Sequence, residues 1–188
     1  MKETKPIKSI KDVQKFKQYY LERGEYRNYL LVSICLNSAL RISDVLQLKW
    51  ESLYDFKANS YKTYLELIEE KTDKHTQILI NSSIRKAIKL YISNSRAALH
   101  RGYIFAGKGN NHITRMQAYR IIKAGGDSIG LEISCHSLRK TFGYHAWKKG
   151  VPPVLLMKIY NHSSFEITKR YLGIEQEDKD AVFESMGL

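Results

Sequence analysis

Apolar residues first recur at helical spacing at Ile10, Val13, Phe16 and Tyr20, with Ser9 placed to cap that helix and Gly24 placed to stop it. A second helix is expected over 26–38, buried through Tyr29, Leu30, Ile34 and Cys35. Ser43 is then expected to cap a short helix through Val45, Leu46 and Leu48, which leaves Arg41 at a corner between two helices. From Leu53 to Ile80 the pattern changes to short runs of Tyr, Thr, Ile and Leu, broken at 57–60 and 71–74, and predicts a three-stranded antiparallel sheet. Helical spacing resumes over 82–98, with Ile84, Ala87, Ile88 and Tyr91 on one face. Tyr103 to Phe105 reads as a short extended piece. The glycine-rich loop after it, 107–111, lacks the Gly-Lys-Ser/Thr ending of a phosphate-binding loop and reads as a solvated turn. Further helices fit 113–124, 137–149, 152–160 and 164–172, the third with Pro152 or Pro153 in its first turn. Glu177 to Met186 fits a short amphipathic helix through Ala181, Val182 and Met186. No repeat, low-complexity tract or linker interrupts this order. The expected fold is α+β, mostly α, with a small three-stranded antiparallel sheet, in a single domain over 1–188.

Charge narrows the partners of such a domain. Lys and Arg outnumber Asp and Glu by 31 to 19, a formal net charge of +12, so a polyanion is the expected partner. The two cysteines, Cys35 in an apolar run and Cys135 beside His136, have no Cys-x-x-Cys spacing and read as reduced core residues of a cytoplasmic protein. Met1 to Lys8 has no apolar core of a signal segment, and no run of about 18 apolar residues occurs, so neither secretion nor membrane spanning is expected.

The candidate chemistry lies in a dispersed cationic set that ends on a phenol: Arg41, Lys71, His136, Arg139, His162 and Tyr171. Two guanidiniums can brace a phosphoryl transition state, imidazoles and a lysine can move protons, and a tyrosine can hold a phosphate covalently. No metal or cofactor is required by that set. His136-Ser-Leu-Arg139 puts an imidazole and a guanidinium one helical turn apart, and Asn161-His162-Ser-Ser precedes Thr168-Lys-Arg-Tyr171-Leu. Plainer readings exist: Arg41 paired with Asp44 or Glu51, Tyr171 as a packed aromatic, and Asp44 as the group that orients Arg41. His75, His100, His112 and His145 read as surface or packing residues, and Trp50 and Trp147 as core or interface anchors. A metal-dependent nuclease would need clustered carboxylates, and only Glu69-Glu70 and the 175–180 group are acidic runs. A zinc site on Cys135 and His136 lacks further ligands at usable spacing.

With those residues in view, the run from Asn37 to Leu172 resembles the catalytic domain of the tyrosine recombinases, the phage-integrase family. The likeness lies in Ala39-Leu-Arg41-Ile-Ser-Asp44-Val-Leu, in His136-Ser-Leu-Arg139, and in His162-Ser-Ser through Tyr171-Leu. It implies that Tyr171 is the nucleophile of a 3′-phosphotyrosyl intermediate and that Arg41 and Arg139 clamp the scissile phosphate. It also implies His136 as proton acceptor or phosphate ligand, His162 as hydrogen-bond donor, and Lys71, or Lys74 in the same turn, as the acid that protonates the leaving 5′-oxygen. The partner so implied is double-stranded DNA, cut and rejoined by a homo-oligomer assembled on it, in integration, excision or resolution. A non-cutting DNA-binding regulator on the same fold is the rival. Three departures from the family pattern stand out. Tyr160-Asn161 replaces Leu-Gly, with asparagine expected to supply the left-handed cap. Lys140 stands where a second histidine is common and is expected to be a harmless surface change. The residues before Arg41 fit the catalytic domain's own first helices, leaving none for the N-terminal DNA-clamping domain. The tail 175–188 is expected either to dock on a neighbouring subunit or to pack on its own domain.

Overall fold

The computed structural model describes residues 4–95, 102–174 and 176–186. Helix α1 spans Ile10–Glu22; the Ser9 hydroxyl accepts the Asp12 amide at its start, and Gly24, at φ +66°, turns the chain after it. Helix α2, Tyr26–Ser38, is buried along nearly its whole length from Tyr29 to Cys35, because α1, α4 and α6 all pack against it. It ends at Ala39, a buried residue in the left-handed conformation at φ 57°. A β-carbon there is strained by about 1 kcal/mol or more. That turn makes the corner expected around Arg41. Helix α3, Ile42–Leu46, begins two residues earlier than expected: Arg41 takes the cap position and Ser43 lies inside the first turn.

The expected three-stranded sheet is instead two separate hairpins. After a 3₁₀ turn at Trp50–Ser52, β1 (Tyr54–Asp55) pairs with β2 (Ser60–Tyr61), and β3 (Tyr64–Ile68) pairs antiparallel with β4 (His75–Leu79). Only Lys62 and Thr63 separate β2 from β3. Their backbone groups are taken by their own hairpins: the Lys62 amide donates to the Leu53 carbonyl, and the Thr63 carbonyl accepts from Ile80. The long hairpin alternates as a half-buried ladder should, with Leu65 in the core and Tyr64, Glu66 and Ile68 outside.

Helix α4 (Ser82–Asn94) starts at an Asn81 cap; residues 96–98 of its expected span, and His100, lie outside the described residues. The expected extended piece is reduced to single antiparallel bridges, Lys49 with Tyr103, and Ala106 with His112, the second of which closes the glycine-rich loop. Capping boxes at Thr114/Gln117 and Ser134/Ser137 set the starts of α5 (Arg115–Asp127) and α6 (Cys135–Lys148), two residues from where periodicity alone puts them. Helices α7 (Pro153–Ile159), α8 (Phe165–Leu172) and α9 (Gln176–Ser185) follow. Among the described residues no helix is long and apolar enough to cross a membrane.

The main core runs from Phe16 and Tyr20 through α2, α4 and α5 to Leu138. A smaller cluster joins Ala39, Leu156, Tyr160 and Leu172, with Tyr171 packed against it. Helix α6 passes between the two and is buried over Ser137–Thr141, Gly143 and Tyr144. Lys140 is therefore not a surface residue; it retains 7% exposure. Trp50 is a core residue, while Trp147 is half-buried on the smaller cluster.

Candidate active site

Four chain corners meet beside the smaller cluster. The left-handed turn at Ala39 delivers Arg41, the β3–β4 turn carries Glu69 and Lys71, the first two turns of α6 supply His136 and Arg139, and the corner between α7 and α8 supplies Asn161 and His162. Tyr171 comes from the last turn of α8, half-buried. Asn161 adopts φ 54°, the left-handed conformation expected of the residue that stands for glycine there.

Arg139 is the centre of the group. It is 2% exposed, and its guanidinium carbon lies 4.9 Å from the Tyr160 ring centroid and 5.7 Å from that of Tyr171. Its Nη2 donates to the Tyr160 carbonyl at 3.1 Å, while the Tyr160 hydroxyl donates back to the Arg139 carbonyl at 2.7 Å. Nε and Nη1 are buried without a hydrogen-bond partner. Unmade hydrogen bonds on a buried cation cost on the order of 1–3 kcal/mol each, so the site is built for an acceptor that arrives with a ligand. Burial first, then the neighbouring Arg41, lowers the Arg139 pKa from its usual value, and an anion would relieve both.

Both imidazoles are neutral at neutral pH. His162 is pushed down to about 4 by desolvation and then by the charges of Arg139 and Arg41. Its ring stacks on Tyr160, centroids 5.1 Å apart and planes 10° from parallel, and its centroid lies 4.9 Å from that of Tyr171. Its Nδ1 is held by the Thr168 hydroxyl at 3.0 Å, leaving Nε2 as the nitrogen for a ligand. His136 is lowered by desolvation and then by Arg139, Lys140, Arg41 and Lys71; its ring centroid is 6.0 Å from that of Tyr171. The structure thus brings five of the six predicted residues into one cationic patch and sets Lys71 at its edge, exposed and close enough for its charge to act on His136.

One residue escaped the sequence reading. Glu69, 2% exposed, accepts hydrogen bonds from Arg41 Nη1, Thr76 Oγ1 at 2.9 Å and Asn161 Nδ2 at 2.5 Å. Arg41 is therefore paired with Glu69 and not with Asp44 or Glu51. Asp44 instead accepts the Glu70 amide at 3.0 Å, and the Glu70 carboxylate takes Gln47 at 3.2 Å. The signal lay in the alternation of β3: Leu65, Leu67 and then Glu69 continue the inward face, and an inward carboxylate needs a cation. Among the plainer histidines, His145 bonds the Ile7 carbonyl and His112 that of Ile113, both packing roles.

The likeness first read from the motifs extends along the chain. The model of the phage integrase family matches residues 8–178. The probable integrase/recombinase YoeC of Bacillus subtilis (strain 168) is 38% identical over 184 residues, covering 97% of this chain and 96% of that protein. Among solved structures, XerA recombinase superposes with a TM-score of 0.79 at 17% identity, over 100% of this chain and 66% of that one. The Tn1549 transposon integrase in complex with a circular intermediate DNA gives a TM-score of 0.69 at 19% identity, over 99% and 67%. The chain thus spans about two thirds of each solved structure. With the family model matched over most of its length and a relative of 38% identity aligned nearly end to end, the chain belongs to the phage integrase family.

Proposed function

We propose that this chain is a tyrosine-type site-specific recombinase that cuts and rejoins double-stranded DNA through Tyr171. The Tyr171 hydroxyl oxygen attacks the scissile phosphorus and its proton passes to neutral His136. The bond from phosphorus to the 5′-oxygen breaks, and Lys71 protonates that oxygen. Arg41, Arg139 and the Nε2–H of His162 hold the non-bridging oxygens, whose charge peaks in the transition state. The 3′-phosphotyrosyl ester keeps the energy of the broken bond, so attack by a 5′-hydroxyl of another strand reseals DNA and releases Tyr171. Guanidiniums, lysine and imidazole supply the charge and the protons, and no step calls on a cofactor. Lys71 is preferred to Lys74 because its charge acts on His136.

The observation that carries this reading is the pair of orphaned donors on buried Arg139, beside the Tyr171 ring. On this view residues 1–188 act as one catalytic unit, working in the cytoplasm as a homo-oligomer assembled on DNA. Val182 and Phe183 of helix α9, and Met186 just after it, are exposed, which supports exchange of this tail between subunits. The test is a suicide substrate: nicked duplex from the ends of its own element, incubated in chelator and probed for a denaturation-resistant protein–DNA adduct. An adduct that disappears in Tyr171→Phe is expected. Binding without any adduct would favour the non-cutting regulator.

A further inference from the structure

Building on that reading, we propose that Glu69 and Asn161 form a latch that holds the Lys71 turn against the phosphate site, with Glu69 a positioning residue for protonation of the leaving oxygen. Glu69 closes the turn through its backbone: its amide donates to the Lys74 carbonyl at 3.0 Å, and its own carbonyl accepts from Asp73 at 2.9 Å. The side chain of the same residue is gripped from three directions. One carboxylate oxygen takes Arg41; the other takes Thr76 of β4 and Asn161, 92 positions further along the chain. The Asn161 amide also reaches the Thr76 hydroxyl at 2.9 Å, so it clasps both strands of the hairpin.

Glycine would satisfy the left-handed backbone at Asn161 at least as well. What asparagine adds is the amide, and both its contacts go to the hairpin. Burial alone would raise the Glu69 pKa, but hydrogen bonds from Asn161 and Thr76 and the charges of Arg41 and Arg139 outweigh it, so the carboxylate stays ionised. The turn itself is exposed at Glu70, Lys71, Asp73 and Lys74. Apart from the Glu70 amide on Asp44, its buried attachment is this carboxylate. The turn that carries Lys71 is thus tied to Arg41 through Glu69, and through Asn161 to the residue beside His162. Leaving-group protonation and phosphate binding are thereby mechanically joined.

Asn161→Gly tests the latch, because it keeps the backbone conformation and removes only the amide. Single-turnover cleavage is compared on an ordinary phosphodiester and on a 5′-bridging phosphorothiolate, whose thiolate leaves without a proton. The variant is expected to be about 10- to 100-fold slower on the oxygen substrate and near wild type on the sulfur one. Lys71→Ala should show the same split, and the double variant should be no slower than Lys71→Ala alone. Thr76→Val, which loses the hydroxyl under Glu69, should follow Asn161→Gly and serves if the latter does not fold. Equal slowing on both substrates, or none on either, overturns the latch. Wild-type protein that forms no adduct on either substrate defeats the recombinase reading instead.

Discussion

Arg139 carries a positive charge into a place where 2% of its surface meets solvent, and two of its donors face no protein acceptor. Truncation to alanine is expected to slow adduct formation about 100- to 1,000-fold. Arg139→Lys should not recover that loss, because an ammonium cannot reproduce a planar fork of donors. His162 allows a test of the same electrostatics without DNA. Its pKa is pushed down to about 4 in the folded chain, against about 6.5 for a free imidazole. Between those values the unfolded chain binds more protons than the folded one, so stability rises with pH across that window and is complete above it. The unfolding temperature should therefore fall as pH drops from about 6.5 towards 4, and His162→Gln should make that slope shallower. Thermal melts of both proteins across the window check it.

Helix α6 decides how the site is built at the scale of elements, since it presents His136 and Arg139 on its first two turns and Gly143 one turn beyond Arg139. A β-carbon at Gly143 would overlap the Tyr160 hydroxyl, the group that donates to the Arg139 carbonyl. Gly143→Ala is expected to cost about 1–3 kcal/mol by overpacking, and to lower the cleavage rate because Tyr160 also receives the Arg139 guanidinium. Denaturant melts alongside single-turnover rates would show both losses in the one variant. The elements themselves were largely legible: α1 and α2 follow from Ser9, Gly24 and an apolar run, while α5 and α6 start two residues from expectation, where Thr114 and Ser134 cap, and α5 runs three residues past its expected end. The sheet was misread because strand pairing depends on which backbone groups are already satisfied. At Lys62 and Thr63 they are taken within each hairpin.

For the whole molecule, a net charge of +12 makes DNA affinity depend on released counterions, so log affinity should fall linearly with log salt. A net of several phosphate contacts would weaken binding on the order of 10³-fold or more between 50 and 200 mM salt, measurable by fluorescence anisotropy. Helix α9 is tied to α6 by Lys148 and Asp178 at 2.6 Å, while Phe183 keeps 76% of its surface in solvent. Phe183→Glu is expected to leave the unfolding temperature and binding to a single site unchanged, and to reduce assembly of multi-subunit complexes on native gels.

The order of helices, the basic charge and the candidate set of charged and nucleophilic side chains were written in the sequence, because periodicity, capping and side-chain chemistry are local or compositional properties. Arg41, His136, Arg139, His162 and Tyr171 could be named from motifs alone. Tertiary structure alone decided what those groups lean on. It paired Arg41 with Glu69 and not with its neighbour Asp44, buried Lys140, and joined Asn161 to a hairpin 92 positions away. Such choices depend on which side chains are desolvated together, and a buried charge takes whichever partner the packed chain brings within reach.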